Sequence, residues 1–184
     1  MDRKRNEIMR FKTINDDNLT KFEITLEEEK VRAVLIKDNN ILVANYGGNI
    51  LLPGGKVDKG ENVYSAIIRE LKEEIGIDYY IDELEPLLNL EYYQRNYPTR
   101  EGIIKNRKII TNFFLGEYKG INLDNTRLTK KEKNGKFELK LVNIDDLNMF
   151  LNQENTNPRN KFFVRELQEV LKNIEELENK TKKL

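Results

Sequence analysis

Three acidic side chains recur at helical spacing in the middle of the chain: Glu70, Glu73 and Glu74. At positions i, i+3 and i+4 they would share one face of a helix. Like charges placed this close repel one another, so an isolated helix would gain nothing from the arrangement. A hard divalent cation, which proteins bind through oxygen ligands, would offset that repulsion. The spacing therefore predicts a metal-binding face.

The residues around these glutamates indicate how the helix is placed. Tyr64, Ile68, Leu71 and Ile75 recur at i, i+4, i+7 and i+11, which predicts an apolar stripe that packs on a sheet. The glutamates lie at the edge of this stripe, and Gly76 is expected to end the helix. We therefore expect the acids at the edge of a cleft rather than on a freely solvated surface.

The composition narrows the chemistry, because the chain contains neither cysteine nor histidine. Disulfides, thiolate nucleophiles, histidine general bases and the usual zinc sites are excluded. A catalytic metal must then be held by oxygen ligands, which favours Mg²⁺ or Mn²⁺. Residues 53–55, Pro-Gly-Gly, form a turn whose backbone can approach a metal or phosphate closely, since glycine has no Cβ. The residues thus indicate metal-assisted phosphoryl chemistry.

Residues 55–77 resemble the Nudix box, G-x5-E-x7-R-E-U-x-E-E-x-G-U, in which U is an aliphatic residue. The fixed positions are filled in order by Gly55, Glu61, Arg69, Glu70, Leu71, Glu73, Glu74, Gly76 and Ile77. A chance match at all of them is on the order of one in a million for a chain of this length. The alternative, an acidic amphipathic helix without a site, is accordingly disfavoured.

This resemblance implies a fold and an activity. Nudix domains are α/β/α sandwiches around a mixed β-sheet, and the alternation of predicted strands with a helix agrees with the α/β class. The resemblance also implies hydrolysis of a nucleoside diphosphate linked to another group X, releasing a nucleotide and phosphoryl-X. The cofactor implied is Mg²⁺, with Mn²⁺ as the alternative, and the partner is a nucleotide-derived small molecule.

The resemblance assigns roles to individual positions. Glu73 and Glu74 match the main metal ligands, and Gly54 matches a glycine whose carbonyl oxygen binds the metal. Glu70 is either a ligand or the general base. Outside the box, Glu138 best matches the additional acid that many members supply to the metal, although a solvent-facing strand glutamate is an equal alternative.

Arg69 and Glu61 are expected to form an ion pair that orients the glutamates. The alternative for Arg69 is direct binding of a substrate phosphate, which suits its planar group. Arg32 is one of several residues that could hold phosphates, although each is more often structural.

The sequence identifies the substrate less well than the reaction. No subclass signature outside the box is convincing; the chain has no tryptophan, and Tyr92 stands where an ADP-ribose type would have a proline. The alternatives are an RNA 5′-end pyrophosphohydrolase and a non-catalytic nucleotide-sensing Nudix protein. The formal net charge of zero argues against a nucleic-acid partner, and the complete box argues against a sensor.

The 184 residues suit one domain, with residues 30–150 as its Nudix part. Residues 1–29 are expected to be an extension that begins as a polar, solvated terminus and in which Phe22, Ile24 and Leu26 alternate as a strand. Residues 151–184 are expected to contain a helix that packs on the domain or forms a dimer contact; its apolar stripe comprises Phe163, Leu167, Val170, Ile174 and Leu177.

The remaining apolar runs predict strands at residues 31–36, 41–44, 50–52, 84–93, 109–118 and 137–142. Asp145 is expected to open a short helix. No apolar run is long enough for a membrane span, and no apolar segment follows the charged N-terminus, so cytoplasm is the default location.

Overall fold

The computed structural model describes residues 10–99, 101–134, 136–152 and 161–181. In this part of the chain one mixed β-sheet is flanked by helices. Its strands are β1 (Arg10–Ile14), β2 (Leu26–Lys37), β3 (Asn40–Tyr46), β4 (Asn49–Leu51), β5 (Glu85–Pro98), β6 (Ile104–Glu117) and β7 (Glu138–Asn143). The helices are α1 (Val63–Ile75), α2 (Lys130–Asn134), α3 (Ile144–Asn152) and α4 (Lys161–Thr181).

The sheet combines parallel and antiparallel pairs. Its strand order is β1-β5-β6-β2-β3-β4, and β7 also pairs with β3. The pairs β1–β5 and β2–β6 are parallel, whereas β5–β6, β2–β3, β3–β4 and β3–β7 are antiparallel. The segments predicted as strands from residue 31 onward all form strands in this sheet.

Two apolar cores lie on opposite faces of the sheet. Val31, Ala33 and Leu35 of β2 pack with the buried residues of α1. Val34 belongs to the second core, to which α3 and α4 contribute. This alternation along β2 follows from the two-residue period of a strand. The predicted α/β class, with helices on both faces of a mixed sheet, is confirmed.

Helix α4 covers the second core. Its buried apolar side chains are Phe162, Leu167, Val170, Leu171 and Ile174. Phe163, which the predicted stripe included, is only partly buried, while its neighbour Phe162 contacts Tyr92 edge to face at a centroid distance of 4.9 Å. The side chain of Leu177 lies outside the described residues.

The structure corrects two expectations for the N-terminal extension. Arg10–Ile14 is a strand parallel to β5 rather than part of a solvated terminus, and Ile14 is buried. The alternating strand through Phe22 is wrong: Lys21–Glu23 is a short 3-10 turn, and Phe22 is 99% exposed. Glu23 accepts a hydrogen bond from the Thr20 backbone N–H at 2.8 Å, and such local bonds compete with strand pairing.

Gly76 ends α1 as predicted, and the structure shows why a glycine is needed. Its φ of 75° is in the left-handed region, and its N–H donates to the Lys72 carbonyl. A Cβ at this position would lie 2.0 Å from the Asn122 carbonyl oxygen. The close approach of residue 122 therefore depends on the missing side chain.

Substituting Gly76→Ala should destabilise the chain by roughly 2–3 kcal/mol, because the left-handed strain adds to the steric clash. Gly102→Ala is a matched control, since Gly102 has a φ of 78° and a Cβ added there would meet no atom within 4 Å. Its cost should be about 1 kcal/mol. Urea denaturation measures both; equal losses would contradict the clash.

Candidate active site

The buried face of α1 carries two of the three candidate acids. The buried residues of this helix are Ala66, Ile67, Glu70, Leu71, Glu74 and Ile75. Tyr64 is 41% exposed and Ile68 half-buried, but the Tyr64 ring contacts Phe114 of β6 edge to face and Ile68 packs against the core beneath α1, so the predicted stripe does face the sheet. The helix packs through a face on which Glu70 and Glu74 are central rather than peripheral, and Ala66 allows the close approach.

Helix α1 begins at a capped turn. Asn62 precedes the first helical residue, and its side-chain oxygen accepts from the backbone N–H groups of Tyr64 and Ser65 at 3.1 and 2.9 Å. An asparagine cap satisfies donors that the first turn leaves without partners. The start of α1, and with it the angular position of its glutamates, is thereby fixed.

The Pro-Gly-Gly turn lies directly against the acids. The Gly54 N–H donates to Glu74 Oε2 at 2.7 Å. A Cβ on Gly55 would lie 2.4 Å from Glu70 Oε1, and a Cβ on Gly54 would lie 2.3 Å from the Val31 carbonyl oxygen. The missing Cβ of Gly55 thus leaves room for the Glu70 carboxylate, and that of Gly54 lets the turn approach β2.

Arg69 forms the predicted ion pair with Glu61. Its Nε and Nη2 atoms donate to the two carboxylate oxygens of Glu61 at 3.0 and 2.8 Å. Nη1 donates to Glu70 at 2.8 Å, and Nη2 also reaches the Lys56 carbonyl at 3.1 Å. The hydrogen bonds from Arg69 lower the pKa of Glu61. Because protein acceptors already engage this guanidinium, its geometry favours the orienting role over phosphate binding.

Burial dominates the electrostatics of the two inner acids. It raises the pKa of Glu74 to about 8, although the charge of Arg32 and the Gly54 hydrogen bond act in the opposite direction. Burial also raises the pKa of Glu70, against the hydrogen bond and charge of Arg69. Glu73 is more accessible, and its carboxylate lies 3.7 Å from Arg69 Nη1. In the metal-free protein, burial therefore favours the neutral forms of Glu70 and Glu74, and a bound cation would favour their ionised forms.

The donor set fits a hard divalent cation, although the acids are not gathered as ligands. Among the described residues no group of three acidic side chains converges on a cation position. Glu70 is turned towards Arg69, Glu74 bonds the Gly54 N–H, and the Gly54 carbonyl accepts from Arg32. The carboxylate and carbonyl oxygens of this site are nevertheless the type of ligand that Mg²⁺ and Mn²⁺ prefer.

A cavity of about 930 Å³ opens beside Glu74. Glu138, at the start of β7, also lines it and stands opposite Asn45 of β3 in the strand register. The structure thus brings the predicted acid outside the box to the same cavity as Glu74. Apolar residues from distant segments form much of the wall, among them Val43, Ile50, Ile121, Leu123, Leu128, Phe137, Val142 and Phe150.

Most of this wall was not identified from the sequence. Phe137 precedes β7, Leu128 lies in an irregular segment, and Phe150 belongs to α3. Their separation along the chain leaves no spacing that would mark them as one site. The motif that marks the acids does not extend to them.

Comparison of the sequence with known protein families identifies the family of this chain. The model of the NUDIX domain family matches residues 23–167. The chain therefore belongs to the Nudix family.

Two relatives are similar over the central part of the chain. An ADP-ribose pyrophosphatase of Methanocaldococcus jannaschii is 38% identical over 72 residues, covering 36% of this chain and 43% of the relative. An 8-oxo-dGTP diphosphatase of Haemophilus influenzae is 40% identical over 76 residues, covering 40% of this chain and 48% of the relative. The chain thus matches less than half the length of each of these relatives.

Solved structures support the fold. A MutT protein from Methanosarcina mazei superposes with a TM-score of 0.54 at 18% identity, covering 80% of this chain and 94% of that one. The E. coli ORF135 protein gives a TM-score of 0.51 at 19% identity, covering 83% and 91% of the two chains. Identities this low show a shared architecture alone.

The raised pKa of Glu74 predicts a pH-dependent stability in the presence of EDTA. Unfolding returns Glu74 to its ordinary pKa near 4.5, so its contribution is complete below that pH and is lost as the pH rises through 8. The free energy of unfolding should fall by up to about 1.4 kcal/mol per pH unit across this window.

Glu74→Gln, which mimics the neutral acid, should flatten that fall, whereas Glu175→Gln on the exposed side of α4 should leave it unchanged. Urea titrations at several pH values measure the slopes. Parallel curves for wild type and Glu74→Gln would contradict the assignment.

Proposed function

We propose that this chain is a divalent-metal-dependent hydrolase that cleaves the diphosphate linkage of a nucleoside diphosphate joined to another group X. The main support for this proposal is the position of Glu74. It lies on the buried face of the Nudix helix and also forms part of the wall of a cavity large enough for a nucleotide derivative. The two relatives support this class, because both names refer to nucleoside compounds with phosphoanhydride bonds.

The site residues would have different roles in such a reaction. Glu73 and Glu74 would hold Mg²⁺ or Mn²⁺, assisted by Glu138 and the Gly54 carbonyl. When bound, the ion would neutralise the diphosphate charge and activate water. Water attacks one phosphorus, the anhydride P–O bond breaks, and the bridging oxygen leaves with the other phosphate.

Glu70 is either a further ligand or the base that takes the proton of the attacking water. Its burial raises its pKa, which makes its carboxylate a stronger proton acceptor. Arg69, held by Glu61, fixes the Glu70 carboxylate through the 2.8 Å hydrogen bond. The arrangement makes Arg69 and Glu61 positioning residues.

The cavity supports a small-molecule substrate. Its wall is largely apolar and includes the aromatic side chains of Phe137 and Phe150, which suit stacking on a flat base. Asn45, Lys140 and Asp146 add hydrogen-bonding groups to the same wall. A nucleotide bound with its diphosphate near Glu74 would have its base or group X in this space.

The decisive experiment is turnover against a panel with Mg²⁺, Mn²⁺ and EDTA. The panel comprises ADP-ribose, 8-oxo-dGTP, dinucleoside polyphosphates, NADH, sugar nucleotides, other (d)NTPs and triphosphorylated RNA. We expect metal-dependent release of a nucleotide from at least one small molecule. Absence of turnover with both metals would overturn the proposed activity, and preference for RNA would overturn the substrate class.

Glu73→Gln should lower kcat by about 100-fold or more while leaving the fold intact, because Glu73 is partly exposed and its charge is needed for the metal. Glu74→Gln should have a similar effect on turnover. Glu175→Gln controls for the loss of a glutamate elsewhere and should retain wild-type kcat. Full turnover by the first two variants would remove the metal-ligand assignment.

Phe150→Ala should raise KM about tenfold with little change in kcat, because one stacking contact is worth roughly 1–3 kcal/mol. Met149→Ala is the matched control: Met149 neighbours Phe150 on α3, is 62% exposed and does not line the cavity. Steady-state kinetics on the best substrate measure both. Equal KM values for the two variants would place the substrate elsewhere.

A further inference from the structure

A buried arginine outside the Nudix box fastens the turn that faces Glu74. Arg32 lies in β2 and is only 5% exposed. Its Nη1 atom donates to the Leu52 carbonyl at 2.9 Å and to the Gly54 carbonyl. These contacts leave its guanidinium engaged with protein backbone, so the suggestion from sequence that Arg32 holds a phosphate has no support in this geometry.

The same turn is held from two sides. Arg32 occupies an even position of β2, on the face shared with Val34 and α4, whereas Glu74 comes from α1 on the other face. Arg32 bonds the carbonyl of Gly54, and Glu74 accepts from its N–H. The backbone of Gly54 is therefore held between a buried cation and a buried carboxylate.

Keeping a charged side chain here is costly. Arg32 Nε is buried without a hydrogen-bond partner among the described residues, and an orphaned buried donor is destabilising. The buried carboxylate of Glu166 on α4 supplies attractive countercharge to Arg32. An apolar residue of similar size often stabilises a protein interior to the same degree as a buried ion. Stabilising the core therefore does not by itself explain why an arginine occupies position 32.

We propose that Arg32 is a positioning residue that fixes the Gly54 turn and, through the Gly54 N–H, the position of the Glu74 carboxylate. The proposal rests on the proposed function for the metal, but the positioning itself belongs to the protein without metal. A carbonyl oxygen has two lone pairs, so the bond from Arg32 leaves Gly54 one acceptor site for the cation.

Three variants of the full chain test this role. Arg32→Met removes the charge and both hydrogen bonds at similar size, and Arg32→Lys keeps the charge without the planar fork. Leu88→Ala is the control, because Leu88 is buried in the same core as Val34 but belongs to β5, which β6 separates from β2. It should lower stability through its cavity without moving the site.

Three measurements, made where all variants are folded, separate positioning from stability. They are hydrogen exchange of the Gly54 amide without metal, Mn²⁺ affinity by calorimetry, and the separate values of kcat and KM. In Arg32→Met we expect at least tenfold faster Gly54 exchange, Mn²⁺ binding weaker by about 10–100-fold and a comparable fall in kcat. KM should stay within about threefold. Arg32→Lys should recover part of each loss.

The outcomes are distinguishable. Unchanged Gly54 exchange and Mn²⁺ affinity in Arg32→Met, or equal changes in Leu88→Ala, would overturn the positioning role. If Arg32→Met does not fold, the same measurements on Arg32→Lys test the proposal. Values equal to those of wild type in Arg32→Lys would then overturn it. If wild type neither binds Mn²⁺ nor hydrolyses the panel, the proposed function fails, while Gly54 exchange still tests the positioning.

Discussion

The contact between the Pro-Gly-Gly turn and α1 is the constraint on which the site depends. Glu74 can be buried because the Gly54 N–H bonds its carboxylate at 2.7 Å, and the helix can approach because Gly55 has no Cβ to meet Glu70. A Cβ on Gly55 would meet the Glu70 carboxylate of the helix, whereas a Cβ on Gly54 would meet the Val31 carbonyl oxygen of β2. A backbone requirement thus determines where the acidic side chains lie.

Burial of charge follows from that contact. Glu70 and Glu74 are removed from water, which raises the pKa of each, and Arg69 and Arg32 compensate them from different directions. Arg69 is held by Glu61, and Arg32 is held by backbone carbonyls. The cost of burying these carboxylates in their charged forms is the physical link between the fold and a divalent cation, because a cation bound beside them would favour the charged forms.

The sheet provides a rigid support for this arrangement. Alternate side chains of β2 point to opposite faces of the sheet. One set packs beneath α1, and the other faces α3 and α4. Arg32 therefore connects the second core to a turn that also contacts the Nudix helix. The cavity beside Glu74 is completed by β3, β7 and α3, so the acids and the apolar wall come from different layers.

The sequence alone was sufficient for the family, because the positions of the box lie on one turn and one helix, while the roles of its acids stay predictions. Local patterns also predicted the strands from residue 31 onward and the glycine that ends α1. They failed at Phe22, where side-chain hydrogen bonds favour a turn.

Only the tertiary structure decided that Glu70 and Glu74 lie on the buried face of α1. It also decided that Arg32 fastens Gly54. Phe137, Phe150 and Glu74 meet around one cavity for the same reason. Such contacts join residues far apart in sequence, so no local period encodes them. They depend instead on how the layers pack and on which buried charges find partners.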